Sequence, residues 1–308
     1  MSQPTPRSSP LAGETSRSPY ASGGTSRRRR SQAMQRRIGS TLGVLVALVV
    51  AILFLLPLFW MVSSSLKPEY QVLESPPRWL PHPVVWSNYP EALTYVPFGR
   101  YALNTLFIAV MVILGHVLSC TLVAYGFARF RAPGKKALFL VLLATMMLPY
   151  PVTMVPLYIL FSRIGWVNSF WPLIVPAFFG SPFYIFLLRQ FFLTLPPDLE
   201  DAARVDGANT VQTIWHVILP ASRPAMATVA IFSFQAVWND FLPPLIYLHD
   251  QTKYTISLGL SFFRSTYDVR WGYLMAASLV TMLPVVILFF LAQRLFIQGI
   301  TLTGLKEG

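Results

Sequence analysis

The chain has 308 residues, of which 54% are hydrophobic and only 12% charged, against about 25% charged in a soluble domain, and its mean hydropathy is +0.54. That composition cannot clothe a soluble surface, so a cytosolic enzyme and a free binding module are excluded and an integral membrane protein is indicated. The net charge of +12 would suggest a nucleic-acid partner in a soluble chain, but eight arginines against one glutamate in the first 37 residues account for most of it.

Residues 1–37 are rich in Ser, Pro, Gly and Arg, with the run Arg27-Arg28-Arg29-Arg30. Such a segment lacks the apolar surface to fold, and its polar stretch is too long for a signal peptide. It reads as a disordered basic cytoplasmic tail ahead of an uncleaved first span. Attraction to anionic lipid, about 1 kcal/mol per charge, explains its arginines better than nucleic acid does.

A first span is predicted over 42–62, because a charge-free stretch of at least 20 residues is what the hydrocarbon core requires. Residues 64–100, rich in Pro, Trp and Tyr, read as an extracytoplasmic loop with interfacial aromatics. The second span covers 103–128 and ends in a turn bearing Arg129, Arg131, Lys135 and Lys136. The third, 137–161, contains Pro149, Pro151 and Pro156 and is expected to be kinked. The fourth, 170–188, is interrupted by Pro172, Pro176 and Pro182. The fifth runs over 225–248 and the sixth over 272–291, before a cytoplasmic tail from 294 to 308.

The resulting class is an all-α membrane protein with six transmembrane helices, spread over a permease-like domain 38–293. Six spans place both termini on one side. Seventeen Lys and Arg residues fall on that side and seven on the other, which assigns the termini to the cytoplasm. Cys120 is the one cysteine and lies in an apolar stretch, where it is expected to be a small buried side chain. The four histidines show no metal-ligand spacing, and no metal site is expected.

The cytoplasmic interval 189–222 carries the most information. Pro197 suits the first turn of a helix, and Asp198, Glu200 and Asp201 suit its positive end. Leu199, Ala202 and Ala203 share a face, and Gly207 supplies a stop. Asn209 and Gln212 have capping-box spacing for a second short helix, with an apolar stripe of Val211, Ile214, Trp215 and Ile218 ended by Leu219-Pro220. By periodicity alone, such a pair of helices fits a lipid surface or another protein equally well.

The wording of the segment separates the two. Leu199-Glu200-Asp201-Ala202-Ala203-Arg204-Val205-Asp206-Gly207-Ala208, followed by Ile218-Leu219-Pro220, resembles the EAA motif of binding-protein-dependent ABC importer permeases, with Asp201 in the usual place of Glu. Tyr101-Ala102-Leu103-Asn104-Thr105, Ala124-Tyr125-Gly126-Phe127-Ala128-Arg129 and Trp238-Asn239-Asp240-Phe241 are similar to the carbohydrate, maltose-type subgroup. The resemblance implies the type I importer permease fold and one transmembrane subunit of an ATP-driven sugar or oligosaccharide importer in a prokaryotic inner membrane.

It also implies the partners: a homologous second permease, a cytoplasmic ATPase dimer and an extracytoplasmic sugar-binding protein. Glu200, Asp201, Ala202, Ala203, Asp206 and Gly207 would form the contact with the ATPase. The chain has no Gly-x-x-x-x-Gly-Lys-Ser/Thr phosphate loop, so it is expected to be non-catalytic and to bind no cofactor, with ATP and Mg held by the partner.

Asp240 lies in an apolar stretch, where a charge at bilayer depth costs about 2.5–3.5 kcal/mol. It is expected to face a cavity on the substrate path or to bond another helix. Tyr150, Trp238, Asn239 and Phe241 are further candidates for that path, because sugar sites combine aromatic faces with polar groups. An ion-driven transporter or channel is the competing class. It calls for inverted repeats and several intramembrane acids, and the chain shows no evident repeat and one such acid.

Overall fold

The computed structural model describes residues 24–264 and 269–304, with side chains over 41–264 and 269–293. The described residues are almost wholly helical, with one isolated bridge between Arg264 and Val269. Four helices are long and apolar enough to cross a membrane, and two bent helix pairs raise the number to six if each is one span.

Helix α1 runs Gly24–Ser65 and contains the first predicted span. Residues 24–37, expected to be unstructured, are helical. Arg and Gln are good helix formers, and extending an existing helix adds one hydrogen bond per residue without a new nucleus. Residues 1–23 of the predicted tail lie outside the described residues. The described residues up to Phe59 belong to this one helix, and those from Trp60 onward form a separate bundle.

In the bundle, α2 (Phe98–Arg129) is the scaffold. Its 32 residues span about 48 Å at 1.5 Å per residue, enough to cross a bilayer with a turn to spare at each end. Helix α3 (Lys135–Ala144) passes through a 3-10 turn at Thr145–Met147 and turns by 96° into α4 (Tyr150–Arg163). The cause is Pro149, which forces the preceding Leu148 out of helical geometry to φ −81°, ψ 111°. The predicted kink in the third span is therefore a sharp corner.

The fourth span begins with a short helix Trp171–Ile174 and a 3-10 segment Val175–Phe179, then continues as α5 (Pro182–Thr194). The span is interrupted as expected, with Pro172, Pro176 and Pro182 each in the first turn of a new segment, where the missing N–H costs nothing. The 3-10 segment approaches α2 closely at Gly115, where an added Cβ would lie 2.9 Å from the Phe178 ring and 3.0 Å from the Ala177 carbonyl carbon. Backbone cannot yield there, so Gly115→Ala is expected to destabilise the bundle by about 1–3 kcal/mol, read as a lower melting temperature in detergent.

After a polar segment containing α6 (Asp198–Val205), α7 runs Arg223–Trp238. The fifth span was expected to continue to residue 248. Instead the helix stops at Trp238, the chain breaks at Asn239–Phe241, and a short helix Leu242–Tyr247 resumes. Sixteen residues give about 24 Å, short of a full crossing by this helix alone, and the preceding helical segment Thr210–Ala221 is bent 79° from α7. Helix α8 runs Trp271–Gly304, so the predicted C-terminal tail is helical as far as residue 304, and residues 305–308 lie outside the described residues. Glu69 of the loop after α1 caps α8, accepting from the Trp271 N–H at 2.8 Å and the Gly272 N–H at 3.1 Å.

Of three buried clusters among the described residues, two hold the ends of the bundle. One gathers Tyr125, Tyr184, Leu188, Phe192, Ile214, Ile218 and Val229, tying α2, α5 and α7 to the segment between α5 and α7. The other, at the opposite end of α2, gathers Phe98, Tyr101, Trp238, Ile256, Phe263 and Ala277.

Candidate functional site

The segment 198–221 is built as the sequence suggests, with differences that matter. Three acids occupy the first turn of α6 and Arg204 its last, both favourable to the helix dipole. The helix closes in a Schellman pair: the Ala208 N–H donates to the Ala203 carbonyl at 2.9 Å and the Gly207 N–H to the Arg204 carbonyl at 3.0 Å. Gly207 stands at φ +83°, in the left-handed region, with open space where a Cβ would be. The next helix begins three residues later, at Thr210. Its capping box is reciprocal, with the Gln212 N–H donating to Asn209 Oδ1 at 2.9 Å and the Asn209 N–H to Gln212 Oε1 at 2.8 Å. It does not end at Leu219-Pro220 but passes through a π-helical turn, Ile214–Ile218, to Ala221.

The two faces of α6 divide the predicted coupling residues. Asp201, Ala202, Asp206 and Gly207 are exposed. Glu200 and Ala203 are buried and face the bundle, so neither is free to meet another protein as expected. Glu200 forms an ion pair with Arg129 of α2, Nε to Oε1 at 2.6 Å, and its other oxygen accepts from Tyr125 Oη at 3.0 Å. Arg129 also donates through Nη2 to the Leu195 carbonyl at 2.9 Å, just ahead of α6. The short helix is thereby pinned to the end of the scaffold helix.

Sequence reasoning treated Arg129 as a topology charge and did not single out Tyr125. Their spacing of four residues, which stacks both on one helix face, is the signal that could have found them. The apolar stripe of the second helix divides similarly. Ile214 and Ile218 enter the core, whereas Val211 and Trp215 stay exposed, along with Leu199 and Val205. Arg204 reaches Asp201 at 3.4 Å, an exposed pair of little energetic weight.

The predicted substrate-path residues also separate. The corner of the third span and the break in the fifth meet: Tyr150, at the start of α4, hydrogen-bonds Tyr247 and lies within electrostatic reach of Asp240. Asn239 is exposed and donates to the Gln235 carbonyl at 2.8 Å, and Phe241 is exposed. Trp238 does not belong with them. It is buried, stacked on Phe234 at 5.2 Å, and its Nε1–H donates to the Thr281 carbonyl of α8 at 3.0 Å. An indole with its one donor satisfied is a packing group, not a free stacking face for a ligand.

Trp238→Ala is accordingly expected to lower the amount of folded protein in the membrane, the cost of an emptied aromatic site being about 3–5 kcal/mol. Asp240→Asn keeps the shape and is expected to leave that amount unchanged.

A groove of about 630 Å³ between α7 and α8 is apolar except for Gln235 and lacks the polar groups a sugar needs. A second internal polar contact, missed in the sequence, joins three helices: His116 Nδ1 lies 3.0 Å from Ser233 Oγ, with Tyr184 packed against the imidazole at 4.8 Å.

Residues 118–302, from mid-α2 through α6 and α7 into α8, match the family described as "Binding-protein-dependent transport system inner membrane component". The chain belongs to this family. Among its relatives is the diacetylchitobiose uptake system permease protein NgcG of Streptomyces coelicolor, 35% identical over 79% of this chain and 82% of that one. The arabinooligosaccharides transport system permease protein AraQ of Halalkalibacterium halodurans is 30% identical over 83% of this chain and 93% of its own. The trehalose/maltose transport system permease protein MalG of Thermococcus litoralis is 30% identical over 85% and 95%.

The crystal structure of a bacterial ABC transporter involved in the import of alginate contains a chain of the same fold. It has a TM-score of 0.75 at 22% identity and covers 84% of this chain and 97% of that one. This permease is thus a multi-pass membrane component, and its pinned segment 198–221 lies inside the family's matched region.

Proposed function

We propose that this permease is a transmembrane subunit of an ATP-driven importer for a sugar or oligosaccharide. The observation that carries the reading is the segment 198–221. It is two short capped helices around a left-handed glycine, exposing Asp201, Ala202 and four apolar side chains, and anchored by Glu200 to the end of α2. A surface of that kind, small and apolar with a flanking acid, fits a groove on another protein.

In this reading the groove belongs to a cytoplasmic ATPase dimer that holds ATP and Mg, and a homologous permease contributes the other half of the path. An extracytoplasmic binding protein delivers the cargo. Both termini are cytoplasmic. When the ATPase closes, it pushes on α6, and the Arg129–Glu200 pair passes that motion to α2. Relatives named for diacetylchitobiose, arabinooligosaccharides and trehalose/maltose support a carbohydrate cargo. Tyr150 and Asp240 are the polar groups of this subunit placed to meet it.

The reading is tested in proteoliposomes containing the chain with its partner permease, ATPase and binding protein. Sugar uptake is expected to require ATP and to leave a proton or sodium gradient untouched. Uptake driven by such a gradient without ATP would overturn it. In the same assay Asp240→Asn is expected to reduce uptake about tenfold, the weight of one charge-assisted hydrogen bond, at an unchanged protein level.

A further inference from the structure

Where α2 gives way to α3, the chain gathers cations that neither the coupling segment nor the substrate path uses. Lys135 and Lys136 open α3, and Arg189 lies in the last half of α5. They border a cavity of about 320 Å³ whose other walls are Phe127, Phe139 and Leu140.

The Arg189 guanidinium lies over the Phe139 ring, 4.3 Å from its centroid, and its Nε donates to the Phe127 carbonyl at 3.3 Å. Those two contacts fix the plane of the group and leave both Nη nitrogens without a partner among the described residues. Lys135 donates one proton to the Phe130 carbonyl at 2.6 Å and keeps two. Among the described residues, no carboxylate pairs with any of the three cations. Beyond them the wall is purely apolar. Helix α3 buries none of its residues, and Leu138, Leu140 and Val141 are between 62% and 65% exposed.

We propose that this cavity is a binding site for an anionic phospholipid, its phosphate held by Arg189, Lys135 and Lys136 and its acyl chains lying along α3. A planar guanidinium with two free donor nitrogens matches two phosphate oxygens, and the two ammonium groups supply charge without demanding geometry. Basic pockets between membrane helices, backed by apolar surface, recognise lipid headgroups in this way. A free phosphate ion would use the cations but not the exposed aliphatic face. The site touches α5, which leads into α6, so an occupying lipid would brace the root of the coupling segment. The proposal rests on the membrane-spanning fold and not on the transport reading, so either can fail alone.

The test is native mass spectrometry of the full-length protein, purified with its bound subunits and titrated with dioleoylphosphatidylglycerol or dioleoylphosphatidylcholine. The anionic lipid is expected to be retained preferentially. Its retention is expected to fall about fivefold for each charge removed in Lys136→Gln and then in Lys135→Gln/Lys136→Gln/Arg189→Gln. Arg100→Gln, at the far end of α2, is expected to leave it unchanged. Lys136 is exposed, so its single variant gives a reading even if the triple variant does not fold. Equal retention by Lys136→Gln and the unaltered chain would overturn the proposal. So would displacement of the lipid by excess inorganic phosphate, which would make this a site for the free ion.

Discussion

Glu200→Ala is expected to lower the melting temperature of the purified protein by several degrees and to reduce uptake more than tenfold. Arg129 and Glu200 side chains are only 13% and 6% exposed, and their charges meet at 2.6 Å. Removing one member of a buried pair strands the other charge away from water, a loss of about 3–5 kcal/mol. Tyr125 also loses its acceptor. Glu200→Gln separates these contributions, because the amide oxygen still accepts from Tyr125 while Arg129 remains without its counter-charge. It should fall between the unaltered chain and Glu200→Ala in melting temperature.

Arg129→Met/Glu200→Leu removes both charges together and is expected to recover much of the stability, since apolar replacement of a buried ion pair is often neutral. If that stable double variant also transports normally, the pair holds α6 in place without transmitting force. If it is stable and inactive, the directional link between α6 and α2 is what the pair provides.

Gly207→Val is expected to abolish most uptake, at least tenfold, while the amount of protein in the membrane stays within about twofold. The reason is local: φ is +83°, and a left-handed residue costs roughly 1–2 kcal/mol once a Cβ is present, more for a β-branched one. Nothing lies within 4 Å of the position a Cβ would take, so the penalty comes from the backbone and not from a clash. The chain can relieve it only by re-forming the turn, which breaks the Schellman pair and re-aims the helix that starts at Thr210. Gly207→Asn, which tolerates the left-handed region, is the matched control and should retain most activity. Normal uptake by Gly207→Val would show that the relative orientation of the two short helices is not used in coupling.

Much of this was legible in the sequence because it depends on local rules. The capping box at Asn209 and Gln212 and the stop at Gly207 concern residues three to six apart, and both are found in the structure. The helices for the first, second and sixth spans follow from uninterrupted apolar stretches and are present as single elements. The fifth span was misread for a related reason. Both flanks of Asn239-Asp240 are apolar, so composition predicts one span across that polar pair, where the helix in fact ends. Proline content did reveal the interruptions of the fourth span, because Pro172, Pro176 and Pro182 each start a new segment.

The division of residues by role was not legible. Glu200, Asp201, Ala202 and Ala203 are consecutive, and their helical positions give the angles between them but not which direction faces the bundle. That was decided by Arg129, 71 positions earlier in the chain, whose charge could not be buried without a partner. Trp238 and Asp240 stand two apart, and only the packing of α7 on α8 makes the first a core residue while the chain break places the second beside Tyr150. The sequence by itself determined that this is an all-helical membrane permease with a capped helix pair on one loop, because hydropathy, caps and a glycine stop act over a few residues. Tertiary structure alone decided which acid anchors that pair and which remain exposed, because burying a charge depends on the partner the fold brings to it.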